Sequence, residues 1–244
     1  MVTRPLTVVT GGSRGIGAAT VRHLAREGHD LVLGFRQDVD AAGEVAATAR
    51  AQGVTCRPVR ADVTDPDQVD ALFDAAAEIG LLTGCVNNAG ATMHLGDLAD
   101  TPVEVVRAVV DLNLTAALVV ARRAVQDLGD GGVLVNVSSG AATLGSPHEY
   151  VHYAAAKAGV DALTLGLAKE VAARGIRVNG VAPGLVRTDI HAGAGDAGRL
   201  ERVEATVPLG RAGEPEEVAT AIAWLLSDAC PYVTGATLRV AGGR

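Results

Sequence analysis

The sequence predicts an α/β fold: one doubly wound parallel sheet of about seven strands with helices on both faces. Two observations predict it. Short β-rich runs alternate with longer alanine-rich amphipathic stretches along all 244 residues. The short runs are also nearly continuous in apolar residues, as expected of strands buried on both faces. In chain order, Leu6–Thr10 is the first expected strand and runs directly into a glycine cluster, after which Ile16–Glu27 has a helical pattern. Leu31–Phe35 follows as strand, Ala41–Gln52 as helix and Thr55–Val59 as strand. Pro66–Ile79 is the next helix, and Thr64-Asp65-Pro66 marks its start by placing capping residues before a proline at the first turn. Cys85–Asn87 is a short strand, and Thr101-Pro102 opens a long helix over Pro102–Leu128 in the same way. Val133–Val137 is strand, Tyr150–Arg174 helix, Arg177–Val181 strand, Pro215–Leu226 helix and Thr237–Val240 the last strand. No linker, repeat or low-complexity block divides the chain, so a single domain over 1–244 is expected. The irregular Gly- and Ala-rich segment 188–210 is a candidate substrate lid.

Composition narrows the function classes. The chain is 48% hydrophobic and 2% aromatic, and its 21 basic against 28 acidic residues give a net charge of −7. That balance, with no Lys/Arg cluster, gives no electrostatic reason to bind nucleic acid. Cys56, Cys85 and Cys230 form neither a CxxC metal pair nor a disulfide framework, which points to a reducing, cytoplasmic setting. The first apolar run is too short for a signal segment, and no 18-residue apolar stretch suggests a membrane span. Only two lysines occur, Lys157 and Lys169, against 19 arginines.

Thr10-Gly11-Gly12-Ser13-Arg14-Gly15-Ile16-Gly17 lies between an expected strand and an expected helix. Glycines there let backbone N–H groups approach a pyrophosphate at the positive end of the helix. The spacing is G-x-x-x-G-x-G rather than G-x-G-x-x-G. The second strand ends at Phe35-Arg36 with no acid at its tip, and Arg14 sits in the loop itself. Two arginines converging there favour the 2′-phosphate of NADP(H), with NAD(H) the second candidate because Asp38 is close. Tyr153 and Lys157 stand at i and i+4 on one helix face, where a cation is expected to lower the tyrosine pKa and make it a usable proton donor or acceptor. Ser138 and Ser139 follow the strand Val133–Val137, at the end of a parallel sheet where ligands bind. Strand alternation and spacing to Tyr153 favour Ser139.

In this order and spacing, these residues resemble the short-chain dehydrogenase/reductase family over essentially the whole chain. Thr10-Gly11-x-x-x-Gly15-x-Gly17 is similar to the family's cofactor loop, Asp62-Val63 to its adenine-contacting pair and Asn87-Asn88-Ala89-Gly90 to its sheet-end motif. Asn113 matches the helix asparagine, Ser139 the active-site serine, and Tyr153 with Lys157 the catalytic pair. Pro183-Gly184, Val186 and Thr188 resemble the segment that holds the nicotinamide carboxamide. The resemblance implies a Rossmann-type fold and hydride transfer between NADP(H) and a carbonyl or secondary alcohol. Tyr153 is then the acid or base, Lys157 the ribose ligand, Ser139 the substrate-oxygen partner and Asn113 the holder of a relay water. It further implies a homotetramer or homodimer joined through the helices around 113–128 and 150–174. The leading expectation is an NADPH-dependent ketoreductase similar to 3-oxoacyl-carrier reductases, acting on a small-molecule or carrier-bound carbonyl. A sugar or polyol dehydrogenase of the same family, or a non-catalytic dinucleotide-binding regulator, is the alternative. Ala241 stands where many relatives carry an aspartate. Tyr150 lacks a lysine four residues on and is expected to line the pocket instead. No metal site is expected at His94, His148, His152 and His191: only His148 and His152 stand at i and i+4, and they straddle an apparent helix start. Arg199 and Arg202 are read as a solvated helix face, Lys169 as solvated and Trp224 as core.

Overall fold

A computed structural model describes residues 4–188 and 198–244. Its seven strands are β1 (Leu6–Val9), β2 (Asp30–Phe35), β3 (Cys56–Arg60), β4 (Leu82–Asn87), β5 (Val133–Val137), β6 (Arg177–Pro183) and β7 (Thr237–Val240). They form one sheet in the order β3-β2-β1-β4-β5-β6-β7, and every neighbouring pair is parallel. The order reverses between β1 and β4, so a crevice opens beyond the carboxyl ends of those strands.

Strand alternation splits the core in two. Val9 of β1 and Leu31, Leu33 and Phe35 of β2 face a cluster shared with the helices α1 (Gly15–Arg26), α2 (Val39–Arg50) and α9 (Pro215–Leu226). Leu6, Val8 and Val32 face the opposite cluster, with α3 (Pro66–Ala77), α5 (Ala116–Asp127) and α7 (Val151–Glu170). The remaining helices are α4 (Val103–Val110), the short α6 (Ala141–Leu144) and α8 (Arg199–Glu204). Between β4 and β5, Asn87 and Asn136 lie in register, and Asn87 Nδ2 donates to Asn136 Oδ1 at 3.1 Å. The same amide donates to the Ala117 carbonyl of α5 at 2.8 Å, and Asn136 donates to Thr164 of α7 at 3.0 Å. This buried polar chain satisfies its members and fixes two helices against the sheet end.

Several expectations are corrected. The helix expected over Pro102–Leu128 is α4 and α5 separated by a π-helical turn, Asp111–Thr115. Thr101 does not cap it: its hydroxyl donates to the Asp97 carbonyl at 2.9 Å and Pro102 takes the cap position. Asp65 does cap α3, accepting from the Asp67 N–H, with Pro66 in the first turn. The helix expected over Tyr150–Arg174 begins at Val151 and closes with a 3₁₀ turn at Ala172–Arg174. Trp224 is not in the core but 42% exposed, because α9 buries the face carrying Val218, Ile222 and Leu225. Lys169 is exposed, as expected. Of the expected lid 188–210, residues 189–197, and with them His191, lie outside the described residues. Arg202 of α8 is exposed. No helix among the described residues is long and apolar enough to cross a membrane.

Candidate active site

The floor of the crevice is built by glycine. Beyond β1 the chain turns at Gly11 with φ +64°, and it enters α1 at Gly15 with φ +51°, both in the left-handed region that disfavours a side chain. A Cβ on Gly17 would lie 2.2 Å from the Gly11 carbonyl oxygen, so helix and loop meet at backbone contact. The Thr10 hydroxyl accepts from the Asn88 and Ala89 N–H groups at 2.9 and 3.1 Å, and the Asn88 amide donates back to the Thr10 carbonyl at 2.9 Å. These bonds lock the loop after β1 to the loop after β4.

Helix α1 differs from its neighbours in its first turn. The Asp38 and Asp65 side chains cap α2 and α3, whereas Arg14 at the start of α1 makes no side-chain cap and no acid follows it. Its leading N–H groups and positive dipole end therefore face the cleft, the arrangement that suits a pyrophosphate. The floor thus fits a dinucleotide: a Cβ would fill the cradle at Gly17, and the helix end is left uncapped. Arg14, Arg36, Asp38, Asp62 and Val63 line the adjoining end of the cleft. Asp38 is occupied as the cap of α2, accepting from the Ala41 N–H at 2.9 Å. Arg36 lies 3.9 Å from Asp62 and is half exposed.

At the other end, β5 delivers two serines to opposite sides. Ser138 turns inward and donates to the Lys157 carbonyl at 3.2 Å. Ser139 faces the cleft, where its hydroxyl is hydrogen-bonded to Tyr153 and accepts from the Ala141 N–H at 3.2 Å. Helix α7 presents Tyr153 and Lys157 one turn apart, with Nζ 5.7 Å from the phenol ring centre. Lys157 is 4% exposed and donates to the Val137 carbonyl at 2.8 Å. Burial pulls its ammonium down to about 8, with Asp161 opposing. The expected lowering of Tyr153 is reversed: burial pushes the phenol above its ordinary value, only partly offset by the Ser139 hydrogen bond. Tyr153 therefore keeps its proton at neutral pH. Tyr150 packs edge-on against it at 5.4 Å and lines the cleft, as expected.

Asn113 sits behind this group. It is fully buried in the π-helical turn, its amide donating to the Ala91 and Val109 carbonyls at 2.8 and 2.9 Å while its oxygen accepts from the Ala91 N–H at 3.2 Å. Its side chain holds the loop after Gly90, where an added Cβ would lie 2.6 Å from Asn113 Oδ1 and 3.4 Å from Lys157 Nζ. Both amide N–H donors are therefore committed to backbone carbonyls, and the oxygen keeps one lone pair beyond the Ala91 N–H.

Two loops rim this end. Met93, Ser146 and His148 have φ of 60°, 47° and 62°, costly for residues with side chains. His148 pairs with Asp97 at 2.8 Å, and Gly96 N–H donates to the Glu149 carbonyl at 2.7 Å, so the loops hold one another. His152 is buried beside them, and burial, reinforced by His94, lowers its pKa. Among the described residues no group of three metal-ligating side chains forms.

One cleft of about 710 Å³ is lined by Gly11, Ser13, Arg14, Gly15, Ile16, Gly17, Arg36, Asp62, Val63, Asn88, Ala89, Gly90, Ser139, Tyr153, Lys157, Pro183, Gly184, Val186 and Thr188. Asn113 alone of the expected site residues stays off its surface. The lining also includes Thr92, Met93, Arg239 and Arg244, which no local motif marks; only the sheet order brings the end of β7 to the cleft.

Comparison with known proteins finds relatives over nearly the whole chain. A family model described as enoyl-(acyl carrier protein) reductase matches residues 11–244. The chain is 44% identical to the oxidoreductase YgfF of Escherichia coli, over 98% of this chain and 99% of that one. It is 40% identical to a 3-oxoacyl-[acyl-carrier-protein] reductase of Synechocystis, over 99% and 97% respectively. A short-chain dehydrogenase from Burkholderia cenocepacia, solved in complex with NADP, superposes with a TM-score of 0.92 at 33% identity, covering 98% of this chain and 97% of that one.

Proposed function

Because the chain belongs to the short-chain dehydrogenase/reductase family, we propose that it is an NADPH-dependent ketoreductase working on a small-molecule or carrier-bound carbonyl. The observation that carries the reading is the Ser139–Tyr153–Lys157 group, set in the same cleft as the uncapped N-terminus of α1. When bound, the cofactor supplies the hydride. The chain supplies the rest. The hydroxyl of Ser139 binds the substrate oxygen, and Tyr153 donates its Oη proton to that oxygen in reduction or takes it back in alcohol oxidation. Burial keeps that proton on Tyr153 at neutral pH, the form an acid needs. Lys157, anchored on the Val137 carbonyl, has two further N–H donors for ribose hydroxyls. Asn113 acts as a positioning residue by holding the loop that carries Gly90.

The preference for NADP(H) over NAD(H) rests on Arg14 and Arg36 at the adenosine end, with Asp38 committed to its helix cap. A single domain and a cytoplasmic setting are proposed on the unbroken α/β pattern and the three scattered cysteines, and a homotetrameric or homodimeric assembly on the resemblance.

Tyr153→Phe tests the reading. It should lower turnover by about 10²-fold or more while NADPH affinity stays within about twofold. Turnover close to wild type, across a panel of carbonyls and alcohols followed at the nicotinamide absorbance, would reject Tyr153 as the acid.

A further inference from the structure

The substrate end of the cleft carries charge of one sign. The lining acids among the described residues, Asp38 and Asp62, both stand at the adenosine end. Beyond Tyr153 the charged lining residues are Arg239 and Arg244. Their placement follows from local sequence. β7 is an edge strand, and Arg239 projects from it beside Gly140, where an added Cβ would lie 3.5 Å from its guanidinium. Gly242 and Gly243 then turn the chain with φ of 62° and 92°, returning Arg244 to the same wall. The Arg239 guanidinium donates to the Thr143 hydroxyl on α6 and to the main-chain oxygen of Arg244. Thr143 shares α6 with Ala141 and Leu144, which line the cleft next to Ser139.

No aspartate or glutamate side chain among the described residues pairs with Arg239 or Arg244. The turn residue between them, Ala241, brings no charge and packs against Gly184. Even where the Arg244 oxygen shares a terminal carboxylate's charge, two guanidinia against one carboxylate leave the wall positive. In a chain of net charge −7, a wall of net positive charge beside the catalytic group is a recognition feature.

We propose that the carbonyl substrate bears an anionic group, a carboxylate in its simplest form, that docks on Arg239 and Arg244 while its carbonyl lies against Ser139 and Tyr153. This rests on the ketoreductase reading of the same cleft, but its test does not depend on turnover. Calorimetric titration of the NADP-loaded protein with cyclohexanecarboxylate and with cyclohexanecarboxamide compares a charged and a neutral ligand of one shape. The carboxylate should bind about tenfold or more tightly, and the preference should weaken in high salt. Arg239→Gln should bring the two ligands level and Arg239→Lys should keep part of the difference. Arg26→Gln, on the exposed face of α1, should keep all of it. Equal affinities in the wild-type protein, absence of carboxylate binding, or a preference that survives Arg239→Gln overturns the proposal. Turnover of 3-oxocyclohexanecarboxylate and its methyl ester, measured alongside, separates the two readings. Reduction of both at equal kcat/KM sinks the anionic substrate and leaves the reductase. Carboxylate preference in the titration without turnover of any carbonyl sinks the reductase alone.

Discussion

Lys157 shows how one side chain ties sequence to chemistry. Among 21 basic residues only two are lysines, and the structure separates them: Lys169 is exposed and Lys157 is buried against the Val137 carbonyl. A compact ammonium donates there from a pocket that leaves Lys157 4% exposed, and a longer planar guanidinium would have to displace what surrounds it. Lys157→Arg is therefore expected to lower kcat/KM by about 10²-fold or more, and activity within a few-fold of wild type would show that charge alone suffices. Its titration has a stability signature. The folded-state pKa is pulled down to about 8 against 10.5 for an unperturbed lysine, so below pH 8 both states are charged and the cost of burying the charge is present in full. Between pH 8 and 10.5 the unfolded state binds more protons than the folded one, and stability rises with pH. Chemical unfolding of wild type and Lys157→Met should thus show the wild type gaining on the variant through that window. A difference that stays flat with pH would place the lysine in a better solvated environment.

The β1–α1 turn makes the corresponding case at the level of an element. Gly17→Ala places a methyl group 2.2 Å from the Gly11 carbonyl, a backbone atom that cannot rotate aside. The loop must open to accept it, so NADPH affinity should fall by about tenfold or more while the sheet persists. Unchanged affinity would mean that the loop is not the phosphate cradle. This turn was legible in the sequence because strand, glycines and helix are contiguous, and the same is true of the Tyr153–Lys157 helix. Where the reading failed, the cause is non-local. Apolar residues are dense enough through residues 102–128 that the pattern reads as one helix and does not reveal the π-helical turn at Asp111–Thr115. It is that turn which buries Asn113 and commits its amide to the Ala91 backbone. Residue type alone places Trp224 in the core, yet its position on α9 lies off the buried face. Burial was also invisible: adjacency to Lys157 suggested a lowered tyrosine pKa, and desolvation reverses the direction. Arg239 could not be found locally, since only the sheet order carries the end of β7 to the cleft.

At the scale of the whole molecule, the cleft lies at the carboxyl ends of the strands where the order reverses between β1 and β4, and its lining is drawn from both halves of the sheet. Gly11 to Gly17, Arg36 and Asp62 belong to the β1–β3 half; Asn88 to Gly90, Ser139, Tyr153 and Gly184 belong to the β4–β7 half. A ligand bridging the two binds only when both are folded, so its binding free energy adds to the stability of the entire chain. At a concentration of a hundred times its dissociation constant, a ligand contributes about 2.7 kcal/mol, which for a chain of this size raises Tm by about 5–10 °C. NADPH should produce a shift of that order in a thermal melt. At equal concentration NADH should produce less if, as proposed, Arg14 and Arg36 of the cleft lining meet the 2′-phosphate. Arg36→Ala then removes most of the difference between the cofactors and leaves the NADH shift nearly unchanged. Equal shifts with both cofactors in the wild-type protein would remove the basis for NADP preference, while leaving the bridging role of the cleft intact. No shift with either would mean that the two halves are held together by the sheet alone and that the dinucleotide does not span them.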